Sequence, residues 1–256
     1  MSAAQSSFVW YELMTTDVAS AKAFYSTVVG WMTQDMPMPG MTYTLLQAGS
    51  ESVGGIMPVP GDALAGGLKP TWIGYLYADN VDSATAKVTA LGGAVHHAPT
   101  DIPSVGRFSV VSDPQGAMFH LFKPTTPSGE RTRSDVPGHV GWHELHTTDR
   151  PAAFEFYNAL FGWLKAEPVD MGPMGIYQLF TVNGAAIGGL FNSPDAEHRP
   201  FWLYYFTVED IDAASLRVIQ AGGRVTQEVH QVPGGLWILR ATDRQGAGFA
   251  LLGPRK

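Results

Sequence analysis

Cysteine is absent from this 256-residue sequence, which excludes disulfides, thiolate metal sites and thiol nucleophiles. Positive charge is scarce: 16 Lys and Arg stand against 23 Asp and Glu, giving a net charge of −7. Without a basic footprint, neither nucleic acid nor an anionic membrane surface is expected as a partner. No apolar run approaches the roughly 18 residues of a membrane-spanning helix, and the polar N-terminal residues carry no basic-then-apolar leader, so the expected location is the cytoplasm. The glycine-rich pieces Gly54-Gly55, Gly66-Gly67 and Gly188-Gly189 fit neither a dinucleotide fingerprint nor a phosphate loop. A Gly-x-Ser-x-Gly elbow is missing too, which disfavours a serine hydrolase.

What is present is a repeat. Trp10-Tyr11-Glu12-Leu13-Met14-Thr15-Thr16-Asp17 recurs as Trp142-His143-Glu144-Leu145-His146-Thr147-Thr148-Asp149, an offset of 132 residues. Phe24-Tyr25 and Gly30-Trp31 follow the first copy, and Phe156-Tyr157 and Gly162-Trp163 follow the second at the same spacing. Further on, Trp202 answers Trp72, Gly222-Gly223 answers Gly92-Gly93, and Asp243-Arg244-Gln245-Gly246 answers Asp113-Pro114-Gln115-Gly116. The chain is a tandem duplication. With 45% hydrophobic and 15% charged residues, each half has the apolar surface for a core of its own.

Along the first half, Phe8 to Met14 reads as a strand and Val18 to Val28 as a helix, with Asp17 as N-cap and Gly30 closing it. Met32 to Gly40, rich in Met and Pro, is expected to be irregular. Thr42 to Ala48 and Ser52 to Met57 read as strands about a Gly49-Ser50 turn. The order then repeats: strand Thr71 to Tyr77, helix Asp79 to Ala90, and strands Ala94 to His97, Gly106 to Ser112 and Ala117 to Phe122. Asp113 to Gly116 forms the last turn. Lys123 to Gly138 reads as a linker. The expectation is an α+β protein of four βαβββ units, paired into domains 1–124 and 139–256 about a linker at 125–138, with curved mixed sheets enclosing cavities.

The spacing Asp17/Phe24-Tyr25/Gly30, its second copy Asp149/Phe156-Tyr157/Gly162, and the closing Asp-Pro-x-Gly-x-x-Phe-x-Leu from Asp113 to Leu121 resemble the vicinal oxygen chelate superfamily of glyoxalase I, bleomycin-resistance proteins and extradiol dioxygenases. The two-domain glyoxalase-like "hydroxylase" or 27 kDa antigen type is the most similar in pattern. The superfamily hosts lyases, isomerases, dioxygenases and pure binders. Its enzymes hold a divalent ion through His, Glu or Gln on the first and last strands of the paired units. On the positions that match, this chain carries Trp10 and Trp142 on first strands, His120 against Ala250 on last strands, Trp72 or Ile73 and Trp202 or Leu203 opening the second units, and Gly54-Gly55 and Gly188-Gly189 at the remaining place. Three or four ligands are needed to hold such an ion. The resemblance therefore implies the fold without the standard metal site, and no cofactor is expected.

Two constellations remain. Period-two alternation puts Glu12 on the same strand face as Trp10, where His120 is its candidate partner, and puts Trp142, Glu144 and His146 on one face of the matching strand. A carboxylate beside an imidazole supports acid–base chemistry. The alternative for both glutamates is a structural carboxylate accepting hydrogen bonds. Glu12, His120, Glu144 and His146 are thus catalytic candidates, and Trp10, Glu12, Trp72, His120, Trp142, Glu144 and Trp202 ligand-contacting candidates. The strand tryptophans fit either a sheet-to-helix core or an apolar cavity. Segments 32–41 and 168–175 are read as pliable lids, and His96, His97, His139, His198 and His230 as solvated residues. The expected function is binding or processing of a small organic molecule by a monomer or homodimer. The alternative is a metal-dependent lyase, isomerase or dioxygenase.

Overall fold

A computed structural model of the chain describes residues 7–38, 40–126, 135–193 and 199–256. His198 and part of the expected linker, 127–134, fall outside them.

Four βαβββ units follow one another. The first is β1 (Phe8–Thr15), α1 (Val18–Val28), β2 (Met32–Met38), β3 (Met41–Ala48) and β4 (Glu51–Pro58). A short helix, α2 (Gly61–Ala65), leads to β5 (Thr71–Tyr77), α3 (Val81–Ala90), β6 (Ala94–Ile102), β7 (Gly106–Ser112) and β8 (Met118–Pro124). The second half gives β9 (Val140–Thr147), α4 (Arg150–Phe161), β10 (Leu164–Asp170), β11 (Ile176–Val182) and β12 (Ala185–Asn192). It closes with β13 (Phe201–Thr207), α5 (Ile211–Gln220), β14 (Arg224–Gln231), β15 (Trp237–Thr242) and β16 (Gly248–Gly253). In each unit the first strand lies parallel to the last, and the remaining neighbours are antiparallel. This is the α+β duplication that the sequence suggested. Among the described residues no helix is long and apolar enough to cross a membrane.

The helices start where their caps dictate. Asp17 accepts the Ser20 amide, Asp149 the Ala152 amide and Asp210 the amides of Asp212 and Ala213, each satisfying donors that a helix start leaves open. Gly162 at φ 75° closes α4, a left-handed conformation that favours glycine.

Two expectations fail here. Residues 32–38 form strand β2, paired along its length with β3, so this stretch is not irregular; of 168–175, only 168–170 belong to a strand, β10, and a short 3-10 turn, Gly172–Met174, follows. Pro37 and Pro168 are tolerated because β2 and β10 end the strand orders of their units, where a missing N–H costs no ladder bond. His139, expected in solvent, is buried, because the preceding residues are tethered: the Gly138 amide donates to the Thr207 carbonyl, and Trp31 Nε1 donates to the Gly138 carbonyl at 2.7 Å.

Compact packing divides the chain differently from the repeat. One unit holds the described residues of Met1–Trp10, Ile73–Thr132 and His143–Trp202; the other holds those of Tyr11–Trp72, Arg133–Trp142 and Leu203–Lys256. Each therefore takes material from both repeats. In the second unit Trp72 Nε1 donates to Tyr25 Oη at 2.8 Å, and Tyr25 Oη donates to Asp243 Oδ2 at 3.2 Å. In the first, Trp202 Nε1 donates to Tyr157 Oη at 3.0 Å and Tyr157 to Asp113 Oδ2 at 3.1 Å. The other carboxylate oxygen, Oδ1, accepts turn amides, those of Gln115, Gly116 and Ala117 for Asp113 and of Gln245 and Ala247 for Asp243. Strand, helix and hairpin are thus joined by one chain of hydrogen bonds through buried rings. Burial pushes the Tyr25 hydroxyl and both carboxyls above their ordinary ranges.

Aromatic rings fill the space around each relay: Phe24, Trp31, Phe206 and Phe249 in one unit, Phe8, Phe119, Trp163 and Phe180 in the other. Tyr25→Phe removes the shared hydroxyl and leaves a buried indole N–H and a carboxyl oxygen short of a partner. It is expected to lower the unfolding free energy by about 1–3 kcal/mol, as is Tyr157→Phe. Urea denaturation checks this, and an unchanged midpoint in both variants rejects the relay as a structural link.

Candidate functional site

The relay decides which way the strand side chains point. Trp72 and Trp202 bond to helix tyrosines, so these two ligand-contacting candidates lie in the sheet-to-helix core, 3% and 4% exposed. Alternation then turns Ile73 and Leu203, apolar residues, to the face away from the helices. On β9, His143 joins the same core. Its ring stacks on Phe8 with centroids 4.2 Å apart, and Nδ1 donates to the Ile187 carbonyl at 2.7 Å. Glu144 and His146 take the opposite sheet face, with half-buried Trp142 two residues earlier.

There the two residues meet. His146 Nε2 donates to Glu144 Oε1 at 2.8 Å, and both side chains are buried. The imidazole lies flat against Phe201, with centroids 4.3 Å apart and planes 18° from parallel, and meets Phe191 edge-on at 4.6 Å. Tyr177 packs beside Phe191 at 5.8 Å. Glu144 is opposite Gly189 in the β9–β12 register, and a Cβ built on Gly189 would clash with the hydroxyl-bearing edge of the Tyr177 ring, 2.7 Å from its hydroxyl oxygen. The first half repeats the arrangement: Glu12 is opposite Gly55, and a Cβ on Gly55 would collide with the Tyr43 hydroxyl. Tyr43 and Tyr177 were not singled out from the sequence, although their offset of 134 matches that of Gly55 and Gly189.

His120 and Glu12 belong to different compact units. His120 packs edge-on against Tyr75 at 4.3 Å and lies 6.1 Å from Phe108, whose ring stacks on His97. It is 3% exposed and its Nδ1 has no hydrogen-bond partner. Burial, with a smaller contribution from His97, lowers its pKa to about 3, so the ring is neutral at physiological pH. His96 bonds Ser112 and His97 bonds Thr100. On the second-half strand Ala250 stands in register with Arg240 and Tyr205, and Arg240 Nε donates to Tyr205 Oη at 3.4 Å.

The sequence and fold match known proteins. The family model described as Glyoxalase/Bleomycin resistance protein/Dioxygenase superfamily matches residues 7–121 and again 137–251. The chain belongs to this superfamily, as a tandem pair of glyoxalase-like domains. It is 33% identical to "Putative glyoxylase CFP32" of Mycobacterium tuberculosis (strain CDC 1551 / Oshkosh), over 96% of this chain and 94% of that one. It is 31% identical to "Anthracycline biosynthesis protein DnrV" of Streptomyces peucetius, over 95% and 91% respectively. Among solved structures, the Mn(II)-bound glyoxalase from Novosphingobium aromaticivorans shares the fold at a TM-score of 0.67 and 16% identity, covering 98% of this chain and 83% of that one.

The superfamily's metal needs a donor set, and these residues do not supply it. The matching positions hold Trp10, Gly55, Ile73 and His120 in one half and Trp142, Gly189, Leu203 and Ala250 in the other. Among the described residues no group of three His, Asp and Glu side chains is placed to hold an ion.

Burial also lowers the pKa of His143, to about 4, despite the Ile187 carbonyl favouring its charged form. Both His120 and His143 stay neutral in the fold while the unfolded chain protonates them near 6.5, so their contribution is present above about pH 6.5 and lost toward pH 4. His143→Asn, which keeps a donor for Ile187, is expected to shrink the stability difference between about pH 7 and pH 5 by about 1–2 kcal/mol. Denaturant titrations at the two pH values measure it; an undiminished difference removes His143 as a cause.

Proposed function

We propose that the protein binds a small planar organic molecule on the strand face carrying Glu144 and His146, and processes it by proton transfer without a metal ion. One observation carries this reading: a buried carboxylate–imidazole pair at 2.8 Å, lying between aromatic rings. With Nε2–H donating to the carboxylate, Nδ1 is the ring atom that carries the acceptor lone pair. A ligand O–H or acidified C–H brought to Nδ1 gives up its proton there, and Glu144 stabilises the resulting imidazolium. Phe191, Phe201 and Tyr177 supply the apolar surface on which a flat ligand stacks, with half-buried Trp142 flanking Glu144 along the strand. In the first half Trp10 and His120, which share one compact unit, and Glu12, which belongs to the other, are each proposed separately as ligand contacts, and Trp72 and Trp202 are left to the core.

The relatives' names support the class of ligand. The Streptomyces protein is named for anthracycline biosynthesis, which points to polycyclic hydroxyquinones, and the mycobacterial one is named as a glyoxylase. The metal-dependent alternative lacks a three-donor set among the described residues. The proposed setting is the cytoplasm, as a monomer or homodimer without nucleic acid or membrane partners, in keeping with a net charge of −7.

A dihydroxyanthraquinone titrated against tryptophan fluorescence tests the reading. Saturable binding is expected, weakened about tenfold or more by Glu144→Gln and by His146→Ala, with circular dichroism unchanged. Wild-type protein that shows no saturable binding sinks it; variants that unfold assign the pair to structure instead.

A further inference from the structure

We propose that Tyr177 takes the metal's place: its ring closes the ligand position at Gly189, and its hydroxyl joins Glu144 and His146 as a polar site for a carbonyl or phenolic oxygen. The inference rests on reading the Glu144–His146 face as the ligand site.

Three observations lead to it. First, the position is a glycine because it is filled. A Cβ on Gly189 would clash with the hydroxyl-bearing edge of the Tyr177 ring, so no ion-binding side chain fits there while Tyr177 remains. Second, the tyrosine ends beside the acid. Gly189 and Glu144 are register partners in a parallel pair and present their Cα–Cβ directions to one face, so a hydroxyl 2.7 Å from the built Cβ is next to the carboxylate's strand position. Third, the arrangement occurs twice. Tyr43 covers Gly55 and Gly55 is the register partner of Glu12, so two copies with different neighbouring residues keep the same tyrosine-over-glycine geometry.

The chemistry follows from the groups. A divalent ion polarises a ligand oxygen as a Lewis acid; a phenol does so as a hydrogen-bond donor, more weakly but without a coordination shell. With His146 accepting a proton and Tyr177 donating a hydrogen bond, the face suits a ligand in which an acidic O–H and a second oxygen lie on one edge of a planar body.

Metal content and ligand binding test this separately. Wild-type protein incubated with Zn²⁺ or Mn²⁺ and desalted is expected to retain well below one ion per chain; retention of one ion overturns the proposal. Gly189→Glu alone is expected to retain none. Combined with Tyr177→Ala it places a third donor beside Glu144 and His146 and is expected to retain one ion. Equal retention by the single variant overturns the proposal, as does a folded double variant that retains none. Should the double variant not fold, the cycle of Gly189→Ala with Tyr177→Ala decides: Gly189→Ala is expected to depress Tm in the wild type and to be relieved by Tyr177→Ala, and additive losses overturn the filled position. Tyr177→Phe is expected to weaken a dihydroxyanthraquinone about tenfold and unsubstituted anthraquinone not at all; equal effects on both overturn the hydroxyl's role. If wild-type protein binds neither quinone, the ligand class proposed above falls, and the ion-retention results still decide whether Tyr177 closes the metal position.

Discussion

The hydrogen-bond relay from a strand tryptophan through a helix tyrosine to a hairpin aspartate is the constraint on which the rest depends. Its members are Trp72, Tyr25 and Asp243 in one compact unit and Trp202, Tyr157 and Asp113 in the other. A buried hydroxyl that accepts one bond and donates the next has few alternative positions, because each group left unpaired carries its full desolvation cost. The relay therefore fixes the helix against the sheet, and the strand tryptophan with it. Once Trp72 and Trp202 point to the helices, alternation turns Ile73 and Leu203 the other way. The core so formed also takes His143 and leaves Glu144 and His146 for the opposite face. The side chains that build each core thereby decide which strand residues face away from the helices.

The duplication made much of this legible. Two copies of Trp-x-Glu-Leu-x-Thr-Thr-Asp revealed the repeat, and Asp17 and Asp149 cap helices as their spacing implied. The pairing of Glu144 with His146 followed from alternation alone. What stayed hidden has physical reasons. Residues 32–38 looked too rich in Met and Pro for a strand, yet β2 has only β3 as a neighbour among the four strands of its unit, and that neighbour supplies the ladder on one side. The solvated reading of His139 missed the tethers from Trp31 and Thr207, which come from distant sequence. Trp72 and Trp202 were ambiguous because a strand tryptophan suits a core as well as a cavity, and only the tyrosine partner decides. Tyr43 and Tyr177 stand at matched offsets, but their meaning depends on strand register, which brings each ring over a glycine and beside a glutamate.

Comparison of the two halves separates scaffold from site. The relay residues, the helix caps Asp17 and Asp149 and the turn aspartates are the same in both copies, whereas the face away from the helices keeps Glu12/Glu144 and Tyr43/Tyr177 but differs at other positions. Met14 stands where the second copy has His146, and His120 stands where the second has Ala250. Residues that carry packing energy leave little freedom, since a volume or hydrogen bond changed in a close-packed interior is felt at once. The strand face is freer, provided any buried charge is compensated.

Compensation of buried charge differs between the two halves. A buried carboxylate is costly unless hydrogen-bonded or paired. Glu144 meets that requirement in part within its own strand, from an imidazole two residues on, and a side chain that satisfies a carboxylate in this way is also able to exchange protons with a ligand. At the matching place beside Glu12, Met14 offers neither a donor nor a titratable group, so any stabilisation of that carboxylate comes from other elements. The imidazole of the first half, His120, is held neutral by burial and has its own aromatic surroundings. A hydrogen-bonded carboxylate and imidazole therefore occur together on β9, while Glu12 and His120 of the first half belong to separate compact units. One duplicated scaffold thus carries two chemically different faces, and Met14 against His146 and His120 against Ala250 are among the substitutions that separate them.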